Sequence, residues 1–245
     1  MDRLIYTAAA GARALLQRQD GLAQNLANAN TPGFRADTVA FRAVPVRGDG
    51  TPTRVVSLEA SAGYDTRSGA IEQTGRALDV AIGGNGWLAV QAPDGTEAYT
   101  RAGALQVNDQ GQLVNPAGLG VASDGGGAIT IPPNTTVSIA RDGTVSAQGA
   151  TGAPQVMGKL KLVNPEPASL RKGADGLMRL DGSEQAPADP TVRVTSGALE
   201  GSNVNVVEAM VGMIAAARQY ETQVKLLQTA EQDDQRASQL LAPAR

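Results

Sequence analysis

Nucleophiles, titratable clusters and metal ligands are scarce in this chain. It contains no histidine and no cysteine, which removes the commonest general base, the commonest metal ligand and every thiolate site or disulfide. Carboxylates remain. Glu231, Asp233 and Asp234 cluster near the C-terminus, and Asp94 stands three residues before Glu97. Paired carboxylates can perform acid–base chemistry on a glycan, but these read as a solvated helix end and a hairpin turn. Ser169 and Lys172 stand at Ser-x-x-Lys spacing, yet the Ser-Asp-Asn and Lys-Thr-Gly partners of that motif are absent. The runs Gly83-Gly84 and Gly125-Gly126-Gly127 lack a Gly-Lys-Ser/Thr sequel and read as turns. The expectation is a protein that is not an enzyme, with no catalytic residue, cofactor or metal.

The formal net charge of −3 argues against nucleic acid as a partner, because phosphate binding needs a basic stripe. No run of about 18 apolar residues is present, so no membrane insertion is expected. Met1-Asp2-Arg3-Leu4-Ile5 is amphipathic, unlike the charged-then-apolar start of a Sec-type signal peptide.

Periodicity supplies the stronger signal. Near the C-terminus, apolar residues recur at Val206, Met210, Met213, Ala217, Tyr220, Val224 and Leu227, alternating gaps of four and three. That is a heptad stripe on one helical face. Ile5, Ala8, Ala12, Leu15, Leu22, Leu26 and Ala29 repeat it near the N-terminus, with Gln19 interrupting. Val207, Val211 and Ile214 widen the C-terminal stripe beyond what one partner helix covers, so they are expected to meet neighbouring subunits. Gly11 and Gly21 weaken the first helix but admit close approach. That helix should run from residue 2 to about 29 and stop before Thr31-Pro32-Gly33. The last should run from Val204 to about Leu240, capped by Ser202 or Asn203.

Between the helices the pattern changes. Phe34, Val39, Phe41, Val44, Val46 and Val55 to Leu58 look extended, around a loop at Gly48 to Pro52. From residue 76 to 200, short runs rich in Val, Ile, Leu, Thr and Tyr alternate with Asp-Gly turns at 94–95, 142–143, 175–176 and 181–182. This suggests a compact meander or barrel-like β domain. The expected fold class is α+β: long terminal helices forming a coiled-coil-like pair, with a central all-β domain. The expected divisions are an N-terminal helix (1–30), an extended connector (31–75), the β domain (76–200) and a C-terminal helix (201–245).

Four stretches, in order, resemble the motifs of bacterial flagellar axial proteins, the rod and hook family. They are Asn25 to Phe34, Leu78 to Val90, Asp94-Gly95 with Tyr99 to Gly103, and Leu199 to Val204 with Glu208-Ala209-Met210. Arg42 to Val46 and Asn85 to Val90 look closest to the proximal rod branch. The distal rod branch is the alternative, though its usual aromatic pair is replaced here by Trp87-Leu88. The resemblance implies a structural subunit whose terminal helices line a hollow rod in the periplasm, with the β domain outside. Its partners would be other copies of itself, other rod proteins and the type III export apparatus during secretion. The expected assembly interface comprises the two stripes, the widening residues and, from the motif, Asn25, Asn28, Pro32, Gly33 and Phe34. A hook-type subunit, or a secreted β-rich adhesin or coat protein dimerising through its helices, are the competing readings.

Overall fold

The computed structural model describes residues 2–45, 55–150, 152–182 and 185–241. The expected loop at 48–52 and Val46 lie outside them. The chain forms two compact units. One comprises Met1–Ala27, Asp37–Gly63 and Asn205–Arg245, and the other Asn28–Ala36 and Tyr64–Val204. The fold is α+β. No helix among the described residues is long and apolar enough to cross a membrane.

The helical unit holds α1 (Asp2–Ala27), β1 (Asp37–Pro45), β2 (Val55–Tyr64) and α2 (Val206–Leu241). α1 and α2 pack against each other antiparallel. A Cβ on Gly212 would stand 3.2 Å from Leu22 Cδ1, and one on Gly11 would stand 3.5 Å from the Gln223 side chain. On α2 the inward positions are Ala209, Met213, Ala216, Tyr220, Gln223, Leu227 and Ala230. This row shares Met213, Tyr220 and Leu227 with the sequence stripe, and Ala217 and Val224 of the stripe stay half-buried beside it. Val206 and Met210 are exposed, which corrects their expected place in the helix pair. The helix is rotated so that small residues face α1, where Ala8 and Ala12 are the buried counterparts. Alanine faces allow backbones to approach more closely than valine and methionine would.

The capping expectation also changes. α2 begins at Val206, and Asn205 caps it: its Oδ1 accepts from the Glu208 N–H at 3.2 Å and its carbonyl from the Ala209 N–H at 2.9 Å. β1 and β2 pair as a two-stranded sheet. The Asn25 side chain holds β1 to α1, donating to the Asp37 carbonyl (2.9 Å) and accepting from the Asp37 N–H (2.7 Å). Gly21 leaves room for Val39, which a Cβ there would meet at 3.0 Å.

The β unit contains β3 (Ile71–Gln73), β4 (Val80–Ile82), β5 (Trp87–Gln91), β6 (Glu97–Thr100), β7 (Gln106–Val107), β8 (Leu113–Val114), β9 (Thr136–Ile139) and β10 (Thr144–Gln148). It continues with β11 (Gln155–Lys159), β12 (Leu162–Val163), β13 (Leu170–Lys172), β14 (Met178–Leu180), β15 (Val194–Ser196) and β16 (Ala198–Glu200). The turn glycines Gly95, Gly143, Gly176 and Gly182 adopt positive φ, as Asp-Gly turns require. Residues 129–131, one of the short apolar runs between 76 and 200, make only an isolated bridge at Thr130. β3, β13 and β16 were not anticipated, being three residues each with charged or polar members.

A simple meander is not what forms. β9, β10 and β11 do follow in order, but the largest sheet runs β12-β5-β6-β14-β13, and β4 and β3 pair with the distant β15 and β16. β5 explains its own sequence. Leu88 and Val90 enter the larger apolar cluster with Leu105, Leu113 and Val145, while Trp87 and Ala89 enter a second with Tyr99 and Met178. Both faces are covered, so Trp87-Leu88-Ala89-Val90 shows no polar alternation.

Candidate functional site

Two features stand out, one on each unit. On α2, Val207, Val211 and Ile214 recur at helical spacing and stand 70%, 61% and 57% exposed. Val206 and Met210 join them, so about the first two and a half turns of α2 present a continuous apolar face. Scattered exposed apolar residues are ordinary, but a contiguous face marks a contact surface. The remaining stripe residues, Leu15, Leu22, Leu26, Met213, Ala217, Tyr220, Val224 and Leu227, are half-buried. Ile5 lies outside the residues whose side chains are described.

The second feature is a buried ionic node in the β unit. Glu200, at the end of β16, receives Arg101 Nε at 2.6 Å on Oε2. Its Oε1 takes Arg35 Nη2 at 2.9 Å and the Gly69 N–H at 2.9 Å. Arg101 also donates to the carbonyls of Ile82 (2.6 Å), Gly84 (2.9 Å) and Gly86 (2.6 Å). Arg35 also donates to the Arg67 carbonyl. The two guanidinium carbons lie 6.0 and 5.8 Å from the Trp87 ring centroid. All three ionic side chains are almost fully buried. Burial pulls the Arg35 pKa below its ordinary value; Glu200 opposes that and Arg101 reinforces it.

The node clamps together the two ends of the segment entering and leaving the β unit. The Gly33 N–H donates to the Glu200 carbonyl at 2.8 Å, and Asn203 N–H to the Phe34 carbonyl at 3.3 Å. Asn203 Oδ1 accepts from Ala36 N–H at 2.7 Å, and its amide donates to the carbonyls of Asp65 (3.1 Å) and Arg67 (2.8 Å). That engagement is why Asn203 does not cap α2. Gly33 has φ +72, and any Cβ there would strike the Arg101 backbone at 2.3 Å. Lys172 Nζ lies 3.8 Å from the Phe34 ring centroid and donates to the Arg35 carbonyl at 2.8 Å.

Of the expected interface residues, Asn25 and Phe34 are buried within their own units, while Asn28, Pro32 and Gly33 are half-buried. The roles of Arg35, Arg101 and Glu200 escaped the sequence reading. The available signal was a charged residue inside or beside an apolar strand and within two residues of a glycine, in Arg101-Ala102-Gly103 and Leu199-Glu200-Gly201.

The residues with chemical potential are otherwise engaged. Asp94 closes a turn onto Thr96. Glu97 binds Lys161 Nζ at 2.7 Å and the Tyr99 hydroxyl at 2.9 Å. That hydroxyl also accepts from Ala186 N–H at 2.7 Å, and burial pushes its pKa up to about 12, with Glu97 adding to the rise. Ser169 donates to the Glu166 carbonyl while Lys172 reaches Arg35. Glu231 and Asp233 lie exposed on α2.

Three family models match in chain order: "Flagella basal body rod protein" over residues 5–35, "Flagellar hook protein FlgE/F/G D1 domain" over 81–147, and "Flagellar basal body rod FlgEFG protein C-terminal" over 195–240. The chain is 46% identical to the flagellar basal-body rod protein FlgF of Escherichia coli K12, covering 99% of each chain. It is 45% identical to the FlgF of Salmonella typhimurium LT2, again over 99% of each. A FlgG of Buchnera aphidicola from Acyrthosiphon pisum is 34% identical over 89% of this chain and 92% of its own. The Gly33, Arg101 and Glu200 junction joins three of the motif stretches noted in the sequence. With near-full-length identity to FlgF proteins, the chain belongs to the flagellar basal-body rod protein family and is of the FlgF type.

Proposed function

We propose that the chain polymerises through its terminal helices into the periplasmic drive shaft and works mechanically, transmitting torque. As a FlgF-type protein it is a structural subunit of the flagellar basal-body rod. Residues 1–30 and 201–245 form the inner tube as a coiled-coil-like pair, residues 31–75 connect, and residues 76–200 form the outer β domain. The chain is not an enzyme. Its partners are other copies of itself and other rod proteins, and the flagellar type III apparatus exports it before assembly. Family membership favours this over the hook-type, adhesin and coat readings.

The observation that carries the proposal is the apolar face of α2 at Val206, Val207, Met210, Val211 and Ile214, which its own chain leaves exposed. Heterologous contacts that do not close a ring generate a helical tube. The stripe residues facing inward act by holding the helix pair. Asn25, Asn28, Pro32, Gly33 and Phe34 act by fixing the course of the chain beside it. The test is Val211→Asp in a flagellated cell. The variant should be produced and folded, yet absent from isolated basal bodies. Normal incorporation would refute the proposal, as would complete motile flagella in a deletion strain.

A further inference from the structure

We infer that Asn85 is a site of spontaneous covalent modification, where ring closure onto the Gly86 nitrogen expels ammonia, and that the isoaspartate left behind loosens the hold of Arg101 on the turn between β4 and β5. Asparagine is a thermolabile residue, and its ring closure is least hindered where the next residue has no side chain. Among the asparagines of the sequence, only Asn85 precedes a glycine. Asn115 and Asn164 precede proline, which has no N–H to lose.

The fold leaves both reacting groups free. Gly84 and Asn85 turn the chain between β4 and β5, and Asn85 is exposed. Neither its carboxamide nor the Gly86 N–H makes a hydrogen bond among the described residues. Three turns with aspartate before the glycine differ on both counts. The N–H groups of Gly95, Gly143 and Gly176 donate back across their turns to the carbonyls of Ala92, Ala140 and Gly173, at 2.9, 3.0 and 3.0 Å. The carboxylates before them, on Asp94, Asp142 and Asp175, are held by Thr96, Thr144 and Arg179. The side chains of Asn108 and Asn115 are likewise tied, each accepting backbone N–H groups of its own loop.

Charge favours the step as well. Arg101 Nη1 donates to the carbonyls of Gly84 (2.9 Å) and Gly86 (2.6 Å), which flank the peptide joining Asn85 to Gly86. A nearby cation favours the anionic form of a group that must lose its proton, and in this node two guanidinium groups face one carboxylate. The glycine itself is fixed by packing, since a Cβ on Gly86 would stand 2.3 Å from Val192 Cγ1.

The Gly86 nitrogen loses its proton and bonds to Asn85 Cγ. The Cγ–Nδ2 bond breaks, and Nδ2 leaves as ammonia, carrying a proton equivalent to the one lost. Water then opens the imide ring. Cleavage between the nitrogen and Cγ gives aspartate with the ordinary backbone. Cleavage between the nitrogen and the main-chain carbonyl carbon gives isoaspartate, whose chain runs through Cβ and Cγ and is one atom longer. The extra atom falls between the two carbonyls that Arg101 Nη1 holds together, so both bonds cannot keep their geometry.

The full-length chain, incubated at mildly alkaline pH, is followed by peptide mass spectrometry and by enzymatic methyl labelling of isoaspartate. The peptide holding Asn85 should gain about one mass unit, about tenfold or more faster than peptides holding the other asparagines. Asn85→Gln, whose longer side chain closes the smaller ring no more, should lose both the gain and the label at this position. The labelled fraction should unfold at lower urea than fresh protein, followed at Trp87. Fresh Asn85→Asp, which has the charge without the extra atom, should match the parent. A gain at Asn85 no faster than elsewhere overturns the site. Isoaspartate at this position with the urea midpoint of fresh protein overturns its effect on Arg101, as does an equal loss in Asn85→Asp.

Discussion

The two units bury different things. In the β unit, Leu88, Val90, Leu105, Leu113 and Val145 are wholly inaccessible to solvent, and a paired ionic node is sealed beside them. In the helical unit, every buried apolar residue among those described is an alanine: Ala8, Ala12, Ala209, Ala216 and Ala230. Its larger apolar side chains include Val207, Val211 and Ile214, and these face outward. At about 25 cal/mol per Å2 of apolar surface removed from water, alanine contributes little. The β unit therefore completes its core within one chain, whereas the described part of the helical unit leaves Val207, Val211 and Ile214 exposed to solvent.

Breaking the node gives the largest expected effect. Glu200→Ala strands two buried guanidinium groups and should cost about 3–5 kcal/mol, read by urea denaturation followed at Trp87. A loss below about 1 kcal/mol would mean that the β unit is not locked by this pair. Next comes the helical unit's own polar contact. Asn25→Ala removes both hydrogen bonds to Asp37 and should cost about 1–3 kcal/mol, read by far-UV circular dichroism during denaturation. An unchanged midpoint would mean that β1 is held to α1 by apolar contact alone.

A smaller, pH-specific effect belongs to Tyr99. Its folded pKa, near 12, lies above its ordinary value of 10.0. The unfolded chain therefore releases this proton first as pH rises. The stabilisation is whole below pH 10 and declines between about 10 and 12. Tyr99→Phe should flatten the stability slope in that window while losing about 1 kcal/mol at neutral pH. An unaltered alkaline slope would assign it to other groups.

The smallest effect on the isolated chain sharpens the contrast. Val211→Asp alters an exposed side chain and should leave monomer stability within about 0.5 kcal/mol of the parent, although incorporation fails. Val224→Asp, on the half-buried side of α2, should melt the helix pair in the monomer itself. If both variants melted alike, the division of α2 into an inner and an outer face would be wrong.

The helices, their apolar periods and most turns were legible in the sequence because each is a local pattern. Hydrophobic spacing over a few turns, Asp-Gly pairs and an Asn before a helix act within a handful of residues. Local pattern did not choose among equals. The pattern pointed to Ser202 or Asn203 as the cap of α2; Asn203 was withdrawn by its bonds to Ala36, Asp65 and Arg67, and Asn205 took the position. Likewise the heptad stripe allowed either rotation of α2, and the close approach of α1 selected the alanine row. The node lay furthest out of reach. Arg35, Arg101 and Glu200 are separated by 66 and 99 residues, and only the pairing of β3 with β16 and β4 with β15 brings their neighbourhoods together. The sequence by itself determined which elements form and which helix is apolar on too many sides. The tertiary structure alone decided which charges are buried together and which apolar face stays exposed, because burial depends on what long-range pairing covers.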